Sequence, residues 1–234
     1  MNGTLYGIGV GPGAPDLLTL RAVKVLETVD VVLAAASPRN DYSTALETAR
    51  PHLRPETELL RLEFPMTRDA AVLREAWDTA AAATERVLRQ GRSAAFLTIG
   101  DPLVYSTFGY LARTLRERAP DLSIATVPGI TSFQAAASRT NTVLCEGGET
   151  LLILPGINGG EELAQGLTYA DNAVILKAYR NFPAIRAALE KAGCAEHAVF
   201  ASRVHLEGEM ISGDLASLPD VPPYLSLVLA KKGG

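Results

Sequence analysis

Residues 4–13, TLYGIGVGPG, decide the fold of this chain. Residues 4–10 have the composition of a short β-strand, and this strand runs directly into a glycine-rich turn. Residues 17–28 then carry apolar side chains at the spacing of an amphipathic helix. The apolar run over residues 30–36 is typical of a strand that is buried on both faces of a sheet. The order strand, loop, helix, strand indicates an α/β domain with a parallel sheet.

The alternation of strands and helices continues along the chain. In the first half we predict a helix at 68–89, a strand at 93–99, a helix at 105–118, a strand at 123–127 and a helix at 131–138. In the second half we predict strands at 151–154, 172–178, 198–202 and 225–230 and a helix at 183–192. Polar residues and glycines between 141 and 150 predict a boundary there, which divides the chain into domains at 1–140 and 141–234.

Composition limits the class of protein. The 234 residues, 47% of them hydrophobic, suffice for a large buried core, and a net charge of -4 disfavours general binding to nucleic acid. We expect a cytoplasmic protein without membrane contact, because no stretch approaches 18 apolar residues and no secretory leader is evident. We also expect no bound metal, since His52, His197, His205, Cys145 and Cys194 do not follow the spacing of metal ligands.

The glycine-rich turn invites comparison with dinucleotide-binding loops. That pattern requires a third glycine where this chain has Pro12, and an acidic residue after the next strand, where this chain has Ser37. The glycines at 7, 9, 11 and 13 leave one side of the backbone bare, which would let a large ligand lie close to it. A tight turn without a ligand is the alternative interpretation.

Two more strands end in turns that carry polar groups. Gly100-Asp101-Pro102 is followed by Tyr105-Ser106-Thr107, which places a carboxylate and three hydroxyls at one strand end and suits a ligand with ribose hydroxyls and a cationic centre. Pro128-Gly129 is followed by Thr131 and Ser132 at the start of a helix, where backbone amides can bind polar ligand atoms. Taken alone, each turn is more typical of a simple turn or a helix cap than of a binding site. In open α/β sheets, however, ligands bind at the carboxyl ends of strands.

These three loops, in this order and spacing, resemble those of the tetrapyrrole methylase family. The resemblance spans nearly the whole chain, and the segment GDPLVYSTF at 100–108 is similar to the branch that methylates C20 of precorrin-2 or its cobalt complex. It implies two α/β domains, with a mainly parallel sheet in the first and a mixed sheet in the second. It further implies a homodimer that binds S-adenosylmethionine between the domains and a tetrapyrrole as substrate.

The resemblance also implies which residues form the site. Cofactor contacts are expected at Val10 or Pro12, Gly100, Asp101, Val104, Tyr105, Thr131, Ser132, Lys177 or Ala178, Ser202 and Leu225. Asp101 and Tyr105 are the expected catalytic groups, as acceptors of the proton that leaves the methylated carbon. Substrate contacts are expected at Gly11, Gly13, Ser106, Thr107 and, for the substrate carboxylates, at Arg21, Arg39, Arg180 and Arg203.

Other functions stay open at this point. The chain could methylate another ring carbon or uroporphyrinogen III, or it could modify ribosomal RNA or a protein, as relatives with this fold do. A nucleotide-binding module without catalytic activity is a further alternative. The acidic charge balance disfavours an RNA substrate.

Overall fold

The structure is a computed structural model that describes residues 1–36, 43–157 and 160–232. The chain forms two compact units, residues 1–131 and 132–234. The boundary that we expect from the sequence lies nine residues later, after residue 140, and the difference is the helix Ser132–Thr140, which belongs to the second compact unit. A flexible boundary at 141–150 therefore stays a prediction.

The first unit is a parallel sheet with connecting helices. Its elements are β1 (Thr4–Gly9), α1 (Leu20–Leu26), β2 (Val31–Ala36), α2 (Thr44–Ala49), β3 (Glu58–Glu63), α3 (Ala70–Arg89), β4 (Ala94–Thr98), α4 (Phe108–Arg118) and β5 (Ser123–Val127). The strand order is β3-β2-β4-β1-β5, and every pair is parallel. This confirms the predicted parallel α/β architecture.

Alternating side chains of β4 explain why its sequence is apolar throughout. Ala94 and Phe96 pack into one hydrophobic cluster with residues of α3 and α4. Ala95 and Leu97 pack into a second cluster with residues of α1. Successive side chains of a strand point to opposite faces, so both faces of the sheet are covered by helices.

The second unit contains a mixed sheet. Its elements are α5 (Ser132–Thr140), β6 (Leu151–Pro155), α6 (Gly160–Tyr169), β7 (Asn172–Leu176), α7 (Phe182–Lys191), β8 (Ala198–Ser202), β9 (Met210–Ser212) and β10 (Ser226–Lys231). The strand order is β6-β7-β10-β8-β9. The pair β6–β7 is parallel and the other pairs are antiparallel, which confirms the expected mixed sheet. Phe182 and Phe200 meet edge to face in its core, with ring centroids 5.5 Å apart.

Several element boundaries differ from the predictions at residues of the expected site, and two of them have a clear backbone cause. The predicted helix at 105–118 begins only at Phe108, because Tyr105 has a left-handed backbone with φ of 49° and cannot continue a helix. The predicted strand at 172–178 ends at Leu176, because Lys177 is left-handed with φ of 57°. At Tyr105 and at Lys177, a left-handed residue therefore turns the chain where the predicted element would have continued.

None of the helices within residues 1–36, 43–157 and 160–232 is long and apolar enough to cross a membrane.

Candidate cofactor and substrate site

Three loops meet at the carboxyl edge of the first sheet. Parallel pairing places Gly9 opposite Thr98 and Ile8 opposite Val127, so β1, β4 and β5 end side by side. The loops after β1 and β4 are joined further, because the Gly100 amide donates to the Gly11 carbonyl at 2.7 Å. The sheet therefore brings together the glycine-rich, Gly-Asp-Pro and Pro-Gly turns, as the sequence predicts for strand ends of one parallel sheet.

Gly9 shows what the bare glycine backbone does at this edge. A Cβ atom at Gly9 would lie 2.5 Å from the Gly100 carbonyl oxygen and 2.6 Å from the Gly129 amide nitrogen. The space beside Gly9 is thus filled by the backbone of the other two loops. At this glycine the missing side chain serves close packing of the loops, which is the alternative interpretation of the glycine pattern.

Asp101 ties two of the loops together. Its Oδ1 accepts a hydrogen bond from the Leu103 amide at 2.8 Å, and its Oδ2 accepts one from the Gly129 amide at 3.1 Å. A carboxylate has room for about four hydrogen bonds, so each oxygen can accept one more. Asp101 can therefore hold the loops and still contact a ligand.

Ser106 has a structural role that the sequence leaves open. Its hydroxyl lies 3.1 Å from the hydroxyl of Thr98 at the end of β4 and accepts a hydrogen bond from the Phe108 amide at 3.1 Å. The side chain of Thr107 makes no cap hydrogen bond to α4. Ser106 thus fixes the start of α4 to the end of β4.

The other expected residues of the first unit differ in exposure. Val10, Pro12 and Thr131 are buried, and Val10 is 0% exposed, with its amide already bound to the Thr98 carbonyl. Tyr105 and Arg21 are exposed. Further expected site residues of this unit are half-buried Val104 and buried Gly11 and Gly13. Arg39 lies outside the described residues.

In the second unit, the expected residues lie at one end of the neighbouring strands β7, β10 and β8. Ser202 at the end of β8 pairs with Ser226 at the start of β10, and Leu176 of the neighbouring strand β7 pairs with Leu227. Lys177 and buried Ala178 follow directly after β7. The Arg203 amide donates to the Leu225 carbonyl at 3.1 Å, which extends the pairing of β8 and β10 by one bond.

Two serine hydroxyls at this end of the strands are buried without hydrogen-bond partners in the described part of the chain. Ser202 and Ser226 are 0% and 3% exposed, and neither hydroxyl has a hydrogen-bond partner among the described atoms. Buried polar groups are nearly always hydrogen-bonded, so such a pair requires an explanation. Ser226 is a residue that the sequence interpretation missed, because only the strand register places it beside Ser202.

Left-handed backbone conformations concentrate on the expected site residues. Among the described residues, φ is positive at six that are not glycine. Tyr105, Lys177, Arg203 and Leu225 of the expected site are four of these, and Asn141 and His205 are the others. A residue held in this region costs about 1 kcal/mol or more, and such costs cluster at functional sites. Most of the left-handed residues that are not glycine are therefore residues that the sequence motifs also assign to the site.

Lys177 and Arg180 supply positive charge at this end of the strands. Partial desolvation, and then the charge of Arg180, lower the pKa of Lys177 from its usual value. The Arg180 Nε donates to the Tyr179 hydroxyl at 2.9 Å, and the Tyr179 ring meets the Tyr224 ring edge to face. Arg203 is exposed. Within residues 1–36, 43–157 and 160–232, no three His, Cys, Asp or Glu side chains are grouped as metal ligands would be.

A parallel sheet with these three turns at its carboxyl edge, followed by a mixed sheet, defines a known class of methyltransferase fold. The chain belongs to the tetrapyrrole (corrin/porphyrin) methylase family, whose family model matches residues 4–219.

Two relatives and one solved structure show which members of this family the chain resembles. The chain is 36% identical to the cobalt-precorrin-2 C(20)-methyltransferase of Salmonella typhimurium, over 99% of this chain and 98% of that protein. It is 35% identical to the precorrin-2 C(20)-methyltransferase of a Sinorhizobium species, over 97% of this chain and 94% of that protein. Among solved structures, the uroporphyrin-III C-methyltransferase of Thermus thermophilus with S-adenosylhomocysteine has a TM-score of 0.67 at 22% identity, over 97% of each chain.

Proposed function

We propose that this chain transfers a methyl group from S-adenosylmethionine to C20 of precorrin-2 or of its cobalt complex, a step of cobalamin biosynthesis. The observation that carries the proposal is similarity over nearly the whole chain to two relatives named for methylation at C20. Because one relative is named for the cobalt complex and the other for the metal-free compound, the proposal includes both substrates.

Residues of each unit, taken separately, suit groups of the proposed cofactor. Asp101 has acceptor positions left for ribose hydroxyls, and its negative charge favours a cationic sulfur nearby. In the second unit, the buried and unpartnered hydroxyl of Ser202 offers a further polar contact. When bound, S-adenosylmethionine supplies an electrophilic methyl group on a sulfonium. A solved relative that contains S-adenosylhomocysteine, the demethylated product, supports the same cofactor.

In this reaction the protein has to align the reactants and exclude water. Correct alignment can account for about 7 to 11 kcal/mol of a barrier, and no strong base is needed for attack by an electron-rich ring carbon. Asp101 acts mainly as a positioning residue, because its two hydrogen bonds fix the loops against each other. The proton that leaves the methylated carbon passes to water, directly or through the Asp101 carboxylate or the Tyr105 hydroxyl.

Positive side chains must attract a substrate with several carboxylates to a protein of net charge -4. Arg21, Arg180 and Arg203 are exposed and can form charge-assisted, bidentate hydrogen bonds with carboxylates. Arg39 belongs to the same proposal on sequence grounds alone. We further propose a cytoplasmic homodimer that needs neither nucleic acid nor a membrane, and light scattering of the purified protein tests the dimer.

Product mapping tests the proposed reaction. Purified protein is incubated with cofactor whose methyl carbon is ¹³C-labelled and, in separate reactions, with precorrin-2, its cobalt complex, uroporphyrinogen III or RNA. Carbon NMR of the product should show one new labelled methyl group on C20. Label at another ring carbon, or on uroporphyrinogen III, would reject the C20 position and keep the family. Label in RNA or protein, or binding of cofactor without any transfer, would reject the tetrapyrrole reaction.

A further inference from the structure

The Gly-Asp-Pro loop presents two large apolar side chains to solvent. Leu103 is 69% exposed and Tyr105 is 50% exposed, whereas Pro102 and Phe108 on either side of this pair are buried. Single exposed apolar residues are common on protein surfaces. These two are separated by one residue, and they lie on a loop at the carboxyl edge of the first sheet, beside the expected cofactor residues.

Hydrogen bonds hold this loop in one conformation. The Leu103 amide is bound by Asp101, whose other oxygen is anchored at Gly129 on the next loop. On the far side of Tyr105, the Ser106 hydroxyl contacts Thr98 and accepts from the Phe108 amide. The exposed pair is thus fixed from both ends, and its exposure does not come from a loosely held loop.

Tyr105 also has a strained backbone. Its φ of 49° lies in the left-handed region, which an aromatic residue rarely adopts. Glycine or asparagine would adopt the same turn at lower cost, so this position combines a backbone penalty with an exposed ring. Such a combination is expected where the side chain itself has a function.

We propose that Leu103 and Tyr105 form an apolar platform for one face of the tetrapyrrole macrocycle, and that the platform sets which ring carbon faces the methyl group. This inference rests on the proposed function and adds the residues that determine its position specificity. A macrocycle has a broad apolar face and carboxylates around its rim, so an aliphatic and an aromatic side chain at neighbouring positions match its face. Leu103 was not among the residues expected from the sequence.

Steady-state kinetics of four variants test the platform. Leu103→Ser and Tyr105→Asn remove the apolar side chains, and Asn keeps the left-handed backbone accessible. Leu103→Met keeps an apolar side chain. Leu59→Ser is the matched control, because Leu59 is 43% exposed on the edge strand β3, at the opposite end of the strands. Melting temperatures check that every variant is folded.

We expect Leu103→Ser and Tyr105→Asn to raise the KM for precorrin-2 about tenfold, the effect of losing roughly half of a buried leucine contact. Leu103→Met should fall between the wild type and Leu103→Ser, and Leu59→Ser should match the wild type. The dissociation constant for cofactor, measured by calorimetry, should stay within about twofold for Leu103→Ser, because its side chain is assigned to the substrate. Some product of Tyr105→Asn should carry its methyl group away from C20.

The outcomes separate the two proposals. If the wild type methylates C20 and Leu103→Ser and Tyr105→Asn match Leu59→Ser in KM and product, the platform is overturned and the proposed function stands. An equal loss of cofactor binding and turnover in Leu103→Ser would also overturn the platform, since it would assign this side chain to the cofactor. If the wild type methylates no tetrapyrrole, both proposals fall together.

Discussion

In the first unit, hydrogen bonds join the expected site loops to one another. In the second unit, Lys177, Arg203 and Leu225 have left-handed backbones, and two buried hydroxyls have no partner among the described atoms. The first arrangement is held in place by hydrogen bonds within the protein. The second leaves polar groups and backbone strain that a ligand could compensate. A ligand at the loops of the first unit would therefore meet a geometry that is already fixed, whereas a ligand at the second sheet could supply hydrogen bonds that the described residues do not.

The largest effect is expected from Asp101→Ala, which removes the link between two loops of the first unit. A misplacement of about 1 Å can reduce a rate about 100-fold, so kcat/KM should fall by that order. The free energy of unfolding should fall by only about 1 kcal/mol, the usual cost of losing such backbone hydrogen bonds. Enzyme kinetics and chemical denaturation measure the two quantities.

Asp69→Ala is the matched control for this prediction. Asp69 Oδ1 also accepts from two backbone amides, those of Ala71 and Val72, and caps α3 in the same unit. Its loss should lower stability by about the same amount and leave kcat/KM unchanged. If the two variants lose activity equally, Asp101 is only a turn residue.

A smaller effect is expected from Ser106→Gly. This variant loses the contact with Thr98 and the hydrogen bond from the Phe108 amide, and it adds backbone freedom next to Tyr105. Turnover of the tetrapyrrole should fall about tenfold, and the cofactor should bind nearly as in the wild type. Ser43→Gly, which removes the cap of α2, serves as the control. Loss of cofactor affinity in Ser106→Gly would show that this loop serves the cofactor instead of the substrate.

Removing a buried hydroxyl of the second unit should raise stability and lower cofactor affinity, so the two effects can be told apart. Ser226→Ala removes a buried hydroxyl without a partner, so the ligand-free protein should become more stable by about 1 kcal/mol. The affinity for cofactor should fall several-fold if this hydroxyl binds it. Thermal unfolding with and without S-adenosylhomocysteine measures both effects.

Thr84→Val is a control for the same test, because the buried Thr84 hydroxyl donates to the Ala80 carbonyl at 2.8 Å. Its loss should not stabilise the protein. A Ser226→Ala variant that is less stable than the wild type and binds cofactor normally would contradict the assignment.

The sequence predicted the fold best where local pattern and tertiary environment agree. The run at 93–99 is apolar because β4 is covered on both faces, and the structure places a strand there. The edge strand β3 was missed, since its sequence ELLRLE is mostly exposed and pairs with β2 alone. The six-residue α2 and the three-residue β9 were missed because such short elements carry too little periodicity.

Only the parts of the candidate site that carry a recognisable sequence motif could be predicted from the sequence. The three loops of the first unit follow strands of one parallel sheet, so their meeting follows from topology. The position of Ser226 beside Ser202 depends on the register of an antiparallel strand pair, and nothing local in residues 223–227 indicates that partner. The bonds of Asp101 and Ser106 to other loops are likewise set by tertiary contacts.

The smallest effect is expected at the left-handed residues of the second unit. Leu225→Gly relieves backbone strain, but glycine also increases the entropy of the unfolded chain, and these terms nearly cancel. Stability should therefore change by less than about 1 kcal/mol. The same holds for His205→Gly, which has a φ of 60° but lies outside the expected site. Only Leu225→Gly should weaken cofactor binding, by about twofold to fivefold, because the added freedom must be lost again when the ligand binds. Calorimetric titration with S-adenosylhomocysteine measures the affinity of both variants for the cofactor product. Equal affinities would mean that the left-handed turn at Leu225 serves the fold. Weaker binding by Leu225→Gly alone would show that this strained turn contributes to cofactor binding.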